Sequence, residues 1–487
     1  MKSKIILYKQ IFILLLLSSI LVGCDSSQSQ KIGELPAVSK HLDQSSINQG
    51  DVSLEELIKH GRELFVVSFN TLDGAGRPEA TGSNKKRLRR ENPHNFNRIS
   101  GPDANACSGC HNLPAIGGGG DNAANVFGLV TDISFATLEG NVGSQENEPS
   151  LIDVTNERNT LGMFGAGLVE LLSREISLDL LEIVKETKIE ANNAGKDVTT
   201  SLQSKGIEFG NITVKSDGFL DVSQVEGVDT DFIIKPFIQK GIIVSLREFS
   251  NTALNHHHGI QSDELFGENS DFDKDGVVNE LTSGDITALT VFQATLPIPK
   301  RIIPKNKSLK SAINQGDKIF NSIGCSSCHI PSLPLESTIF SEPGPFNPEN
   351  TMKLSETDKV LTLDLLDYVG KLEKNNKGQY LIPLYSDLKR HNMGSELDNE
   401  RLKQRGIPTD IWITKKLWGF YDEPPFLHHG RSTLLSEAIL MHSGEAEESK
   451  KNFKKLSNSE KDYLIEFLKS FRNDLNKLEY IKGVYLY

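Results

Sequence analysis

Two stretches of this 487-residue chain concentrate side chains that bind metals: Cys107-Ser-Gly-Cys110-His111 and Cys325-Ser-Ser-Cys328-His329. A C-x-x-C pair alone serves zinc, a redox disulfide or haem. The histidine directly after each pair separates these readings. Two thiols at this spacing can add to the two vinyl groups of one porphyrin, and the adjacent imidazole then falls under the iron as its proximal ligand. Histidine is 12 of 487 residues, so chance would place it after both pairs in fewer than about one such chain in a thousand. Zinc needs four ligands per site and no histidine at that place, and a thioredoxin-like motif needs a βαβ setting that is missing here. The expected cofactors are two covalently bound haem c groups, attached through Cys107 and Cys110 and through Cys325 and Cys328. His111 and His329 are their proximal ligands.

Elements that would position these motifs occur twice. Gly61-Arg-Glu-Leu-Phe65 precedes the first motif and Gly316-Asp-Lys-Ile-Phe320 the second, each placing Gly and Phe on one face of an amphipathic helix. A closing helix follows each motif much later, from Thr282 and from Ser457. The register is constant: 282 with 457, 285 with 460, 289 with 464, 292 with 467, 296 with 471. Each opens with an S/T-x-x-D/E capping box, and each repeats large apolar residues along one stripe. The expected fold is mainly α, with two cytochrome c-like domains. Each has an N-helix, a CxxCH loop and a C-helix, and the first carries long insertions. The length suits two domains, divided as 51–305 and 306–487.

The first residues read as export signals. Lys2, Lys4 and Lys9 precede the apolar run Ile11 to Leu17, which is too short for a permanent span, so 1–23 is expected to be a signal peptide. Gly23-Cys24 resembles a bacterial lipobox, which implies cleavage before Cys24 and lipidation of its thiol. Residues 24–50, rich in Ser, Gln and Asn, read as a flexible tether. The expected location is the bacterial cell envelope, lipid-anchored and facing the periplasm. The formal charge of -12 argues against nucleic acid as a partner and permits a basic redox partner.

Smaller signals accompany the motifs. Lys85 to Arg90 form a basic run on an acidic chain, most simply a solvated loop. Gly117 to Gly120 leave little side chain near the first haem, as an open channel would require. Asp271, Asp273, Asp275 and Asn279 have the spacing of a calcium loop, with Thr282 where a bidentate Glu belongs. A solvated acidic turn is the alternative.

Taken together, these elements resemble the di-haem oxidoreductase family, a peroxidase-like family related to bacterial di-haem cytochrome c peroxidases. The resemblance runs from about residue 55 to 475. Besides the two motifs it rests on Phe164 to Glu170, Ser245 to Phe249, Asn255 to Ile260, Asp275 to Thr282, Tyr385 to Leu388, His391 to Gly394, Leu417-Trp-Gly419, Phe426 to Arg431 and Glu437 to Ala446. The chain departs from the family in two places. Ile413-Thr-Lys-Lys416 stands where Arg-Thr-Pro-Pro is usual, and His428-His429-Gly430-Arg431 replaces His-Asp-Gly-Arg.

The resemblance implies distal ligands. In the related peroxidases a Met ligand follows the histidine of the latter element by fourteen residues, which lands on His442 here, with Met441 and Met393 as alternatives. Relatives often carry Met-Gly-Ile where this chain has His258-Gly-Ile260, which makes His258 the candidate at the first haem; His94 is another. Glu170 and Glu248 lie in family-like segments and are the candidates for acid–base work. Trp412 and Trp418 are candidate electron relays. The function expected is a peroxidase-like di-haem oxidoreductase, one haem transferring electrons and the other activating the oxidant. A small redox protein or a quinol-linked donor would supply electrons. The alternative is a pure electron carrier with both irons six-coordinate. A thiol oxidoreductase would need the thiols that haem attachment consumes.

Overall fold

The structure, a computed structural model, describes residues 32–76, 104–120, 123–127, 155–273, 275–400 and 403–473. The expected signal peptide, Cys24, the basic run 85–90 and His94 lie outside these residues. The chain divides at 36/37. Residues 32–36 of the first part are exposed and form neither helix nor strand. Among the described residues, no helix is long and apolar enough to cross a membrane.

In the second part, each motif is flanked by a packed helix pair. Leu54–Val66 is the first entry helix and Ser283–Ala294 its closing helix; Lys307–Ser322 and Asn458–Lys469 are the second pair. The expected capping boxes form at both closing helices, Thr282 with Asp285 and Ser457 with Glu460. The two pairs cross at the same positions. A Cβ on Gly61 would lie 2.0 Å from the Ala288 carbonyl oxygen and 2.8 Å from the Phe292 Cβ. On Gly316 it would lie 2.0 Å from the Tyr463 oxygen and 2.6 Å from the Phe467 Cβ. Only glycine lets backbones approach this closely. Phe65 meets Phe292 at a ring separation of 5.3 Å, and Phe320 meets Phe467 at 5.1 Å. The repeat read from the sequence is therefore a repeat of packing.

The expectation of a mainly α chain needs correction. Among the described residues, five small sheets stand between the helices. A long helix, Ala166–Ala194, is followed by an antiparallel meander of Val198–Ser204, Ile207–Val214 and Leu220–Val225. The remaining sheets join Ala123–Phe127 with Thr155–Asn159, Ile339–Glu342 with Leu361–Asp364, and Arg390–Asn392 with Ile411–Ile413, besides a sheet of three very short strands. The meander is rich in Val, Ile and Thr, residues suited to a half-buried pleated surface.

Two further corrections follow. The core does not divide at 305/306: Leu333, Leu335, Phe340, Leu363, Leu384 and Trp418 join the first core, which also holds Phe65 and Phe292. The second core is smaller and gathers Phe320, Tyr385, Phe426, Phe467 and Phe471. Nor are residues 37–50 a flexible tether. Val38, Leu42 and Ile47 are buried, Gln44–Gln49 is helical, and the Ala37 and Val38 amides donate to Asp73 at 3.0 and 2.8 Å. Three well-spaced apolar residues outweigh the polar background around them.

Candidate functional site

Each motif begins as a single 3-10 turn, Cys107–Gly109 and Cys325–Ser327. The turn brings the histidine amide back to the first cysteine: His111 N donates to Cys107 O at 2.9 Å and His329 N to Cys325 O at 3.0 Å. Nδ1 of His111 lies 3.2 Å from the Gly118 oxygen, and Nδ1 of His329 lies 3.1 Å from the Tyr385 oxygen. An Nδ1–H donated to a carbonyl fixes the tautomer and reserves Nε2 for a metal. Burial pushes both imidazoles down to about 4, so both are neutral, the ligating form. Phe65 and Phe320 stand against them at 6.2 and 6.4 Å between ring centres. None of the four cysteines is in a disulfide, and burial pushes the Cys107 and Cys325 thiols up to about 12. Paired thiols and a pre-oriented neutral imidazole fit a thioether-bound haem at each motif.

Beside the first motif lies a cavity of about 420 Å³, lined by Cys107, Cys110 and His111 and across from them by His256, His257 and His258. Those three histidines stand on a single π-helical turn, Leu254–His258, a local widening that often marks function. His258 is buried; its Nδ1 lies 2.5 Å from the Ala104 oxygen and its Nε2 3.6 Å from Cys107 Sγ. Gly117 to Gly120 do not line this cavity; the Gly117 amide donates to His111 O at 3.0 Å, so the turn wraps back onto the histidine.

At the second motif, His442 directs Nδ1 to the Ala438 oxygen at 2.8 Å, again reserving Nε2, and burial lowers its proton affinity so that it stays neutral. Met393 lies alongside: its carbonyl accepts from Ser443 Oγ at 2.5 Å. His391 has a role that sequence reasoning missed. Its Nε2 is 2.8 Å from Asp387 and its Nδ1 2.6 Å from Glu445, and ligand atoms of Cys328, Asp387 and His391 lie within 4.8 Å of one another. Burial opposes its protonation, but the Asp387 carboxylate outweighs burial and raises the proton affinity of His391, an imidazolium beside the second motif. The signal was the element His391 to Gly394, in which Met393 was the candidate ligand and His391 was not.

Neither carboxylate candidate lines the cavity. Glu170 is saturated by Arg174, at 2.5 and 3.1 Å, and by the Leu246 amide at 2.8 Å. Glu248 accepts from Arg405 at 2.6 Å and the Val244 amide at 2.8 Å. Both hold the helix Leu246–Ala253 in place behind the cavity wall. Asp271, Asp273 and Asp275 do converge, with carboxylate oxygens within 4.8 Å, and Gly276 takes the positive φ of 91° that such a loop needs. Asn279 faces elsewhere, paired with Asn269 at 2.7 and 3.1 Å, and Thr282 is spent on its helix cap.

Trp412 lies between the two sites. Its ring stacks on His428 at 3.6 Å, and Lys240 Nζ sits 3.5 Å from its centroid on a buried side chain. Its strand pairs it with His391, and Arg158, a cavity-lining residue, lies 5.3 Å from the ring. His428, without the family's neighbouring Asp, uses Nε2 on Asn399 at 2.8 Å, and burial keeps it neutral. Trp418 is buried against Gly165 and Ile298 in the first core.

Residues 366–471 match the family described as "Di-haem oxidoreductase, putative peroxidase". The segment contains the helix pair's last member and Tyr385, His391, Met393, Trp412, His428 and His442. The match supports a haem-dependent di-haem oxidoreductase. Hydrazine synthase from Kuenenia stuttgartiensis is similar in structure at 12% identity, over 91% of this chain and 97% of that one, with a TM-score of 0.36, which carries no argument. No curated protein matches the chain.

Proposed function

We propose that the protein is an exported di-haem c-type cytochrome that acts as a peroxidase-like oxidoreductase. The observation that carries this is the twofold motif geometry: paired thiols, a neutral histidine held by a carbonyl at 3.2 and 3.1 Å, and the same helix crossing behind each. Bound haem supplies the exchangeable electron and the iron at which an oxidant can react. His111 and His329 orient and ligate. His442, with Nε2 left available, would supply a second protein ligand at the second motif, with Met393 as the alternative. The first site is the candidate for meeting the oxidant: among the described residues, the cavity beside His111, which would seat the haem, is lined by neutral and cationic groups and by no carboxylate. Trp412 relays electrons between the sites. His258, 3.6 Å from Cys107 Sγ, favours the second reading, a carrier in which it closes the first iron as well.

Export rests on the basic and apolar start of the chain and on Cys24. A lipid anchor there would place the protein at a membrane surface, facing a small redox protein or quinol-linked donor. A structural Ca²⁺ on Asp271, Asp273 and Asp275 is part of the same reading; calcium chelation is expected to lower the melting temperature. Intact-mass measurement of the exported protein tests the core of the proposal. Two thioether-bound haems are expected, with one remaining in Cys107→Ser/Cys110→Ser and one in Cys325→Ser/Cys328→Ser. An unmodified polypeptide mass would overturn it.

A further inference from the structure

The charged groups around the first cavity are unevenly compensated. Arg158, Arg405 and Lys416 line it, and among the described residues no aspartate or glutamate does. The two arginines are neutralised from behind, Arg158 by Glu400 and Arg405 by Glu248. Lys416 is different. Its Nζ donates to the Gly162 carbonyl at 2.7 Å. Burial lowers its proton affinity to about 8, and Glu423, whose charge favours the ammonium, makes no ion pair with it but accepts from the Gly162 amide at 3.1 Å and pairs with Lys415 at 3.6 Å. Gly162 follows Leu161, whose main chain faces the His111 imidazole, and the Lys416 charge adds to the burial that lowers the proton affinity of His111. Lys416 therefore shares the cavity lining with His111 and is tied to the chain segment that faces it. At the second motif the corresponding cation, His391, is clamped between Asp387 and Glu445. Lys416 also occupies a place where the family resemblance would put proline, so it belongs to this chain rather than to the pattern.

We propose that Lys416 is a positioning residue for the electron, raising the reduction potential of the first haem through its ammonium charge. Reduction lowers the charge of a haem iron by one unit. A nearby cation in a poorly solvated setting stabilises the reduced form more than the oxidised one. The guanidinium groups contribute less because each is matched by a carboxylate. The inference rests on the first motif carrying haem.

The test is a spectroelectrochemical titration of purified holoprotein whose two thioether haems have first been counted. The midpoint belonging to the first haem is the one missing from Cys107→Ser/Cys110→Ser. In Lys416→Met that midpoint is expected to fall, so that at a fixed potential the ratio of reduced to oxidised first haem drops roughly tenfold. The second midpoint stays in place. Lys416→Arg keeps the charge and is expected to keep the wild-type midpoint. Glu423→Gln, which removes that carboxylate, is expected to move the same midpoint upward and covers the case in which Lys416→Met does not fold. An unmoved midpoint in Lys416→Met, or an equal fall in Lys416→Arg, would overturn the proposal. A count of fewer than two haems in the wild type would overturn the haem reading first and this inference with it.

Discussion

In the first module the closing helix is buried at every residue from Gly284 to Ala294, whereas in the second only Leu464, Phe467 and Leu468 of Asn458–Lys469 are buried. The frames are otherwise alike: the same glycine crossing, the same phenylalanine pair, the same capping box. The difference comes from what is packed outside the frame. Leu246–Ala253, Ala166–Ala194 and the strand Ile339–Glu342 all lie on the first closing helix. Leu246–Ala253 and Ala166 also line the cavity beside His111, in a scaffold whose second copy stays closer to a plain helix pair. Buried ion pairs hold these layers. Arg174 binds Glu170, and Arg247, fully buried, binds Glu264 and Glu342. Such pairs fix orientation more than they add stability.

The comparison can be broken at the crossing glycines, where the largest effect is expected. Gly61→Ala pushes a methyl into a helix that cannot retreat and should cost about 3 kcal/mol or more. Gly316→Ala meets a half-exposed helix that can shift, and should cost clearly less in the same chemical denaturation experiment. Equal losses would mean that enclosure does not separate the modules.

The capping boxes sharpen it next. Asp285 is fully buried and receives the Leu42 amide at 3.0 Å, His41 at 2.6 Å and His60 at 2.7 Å, besides its cap. Asp285→Asn should destabilise by about 2 kcal/mol or more, while Glu460→Gln, at an exposed cap, should change little. Burial alone would raise the Asp285 carboxyl, but the histidines and amides win and hold it down at about 2, below its ordinary 3.8. A lowered folded-state value means that this stabilisation is complete above the ordinary value and is lost as pH falls toward about 2. The wild type and Asp285→Asn should therefore converge in acid denaturation below that range. A gap that persists in strong acid would contradict the assignment. The smallest expected effect is kinetic: Trp412→Phe should slow electron transfer between the haems several-fold in flash reduction, with both midpoints nearly unchanged.

Much of this was legible in the residues. The two CxxCH motifs, the constant register from 282/457 to 296/471, and the capping boxes all depend on local spacing, and local spacing is what a sequence displays. What escaped depends on distant partners. His391 meets Glu445, 54 residues on, and Lys416 reaches Gly162, 254 residues away. Glu170 and Glu248 looked available for proton transfer because Arg174 and Arg405 could not be placed beside them. The meander at 198–225 went unread because attention followed helical stripes. Residues 37–50 passed for a tether because composition averages away three buried side chains.

The central claim is that the first haem has a site open to an oxidant and the second does not. It is tested most directly by EPR of the holoprotein, recorded fully oxidised and again after one electron per molecule. The account predicts a high-spin ferric signal in at least one of the two states, absent from Cys107→Ser/Cys110→Ser. Low-spin signals alone in both states would contradict it and leave an electron carrier with both irons closed.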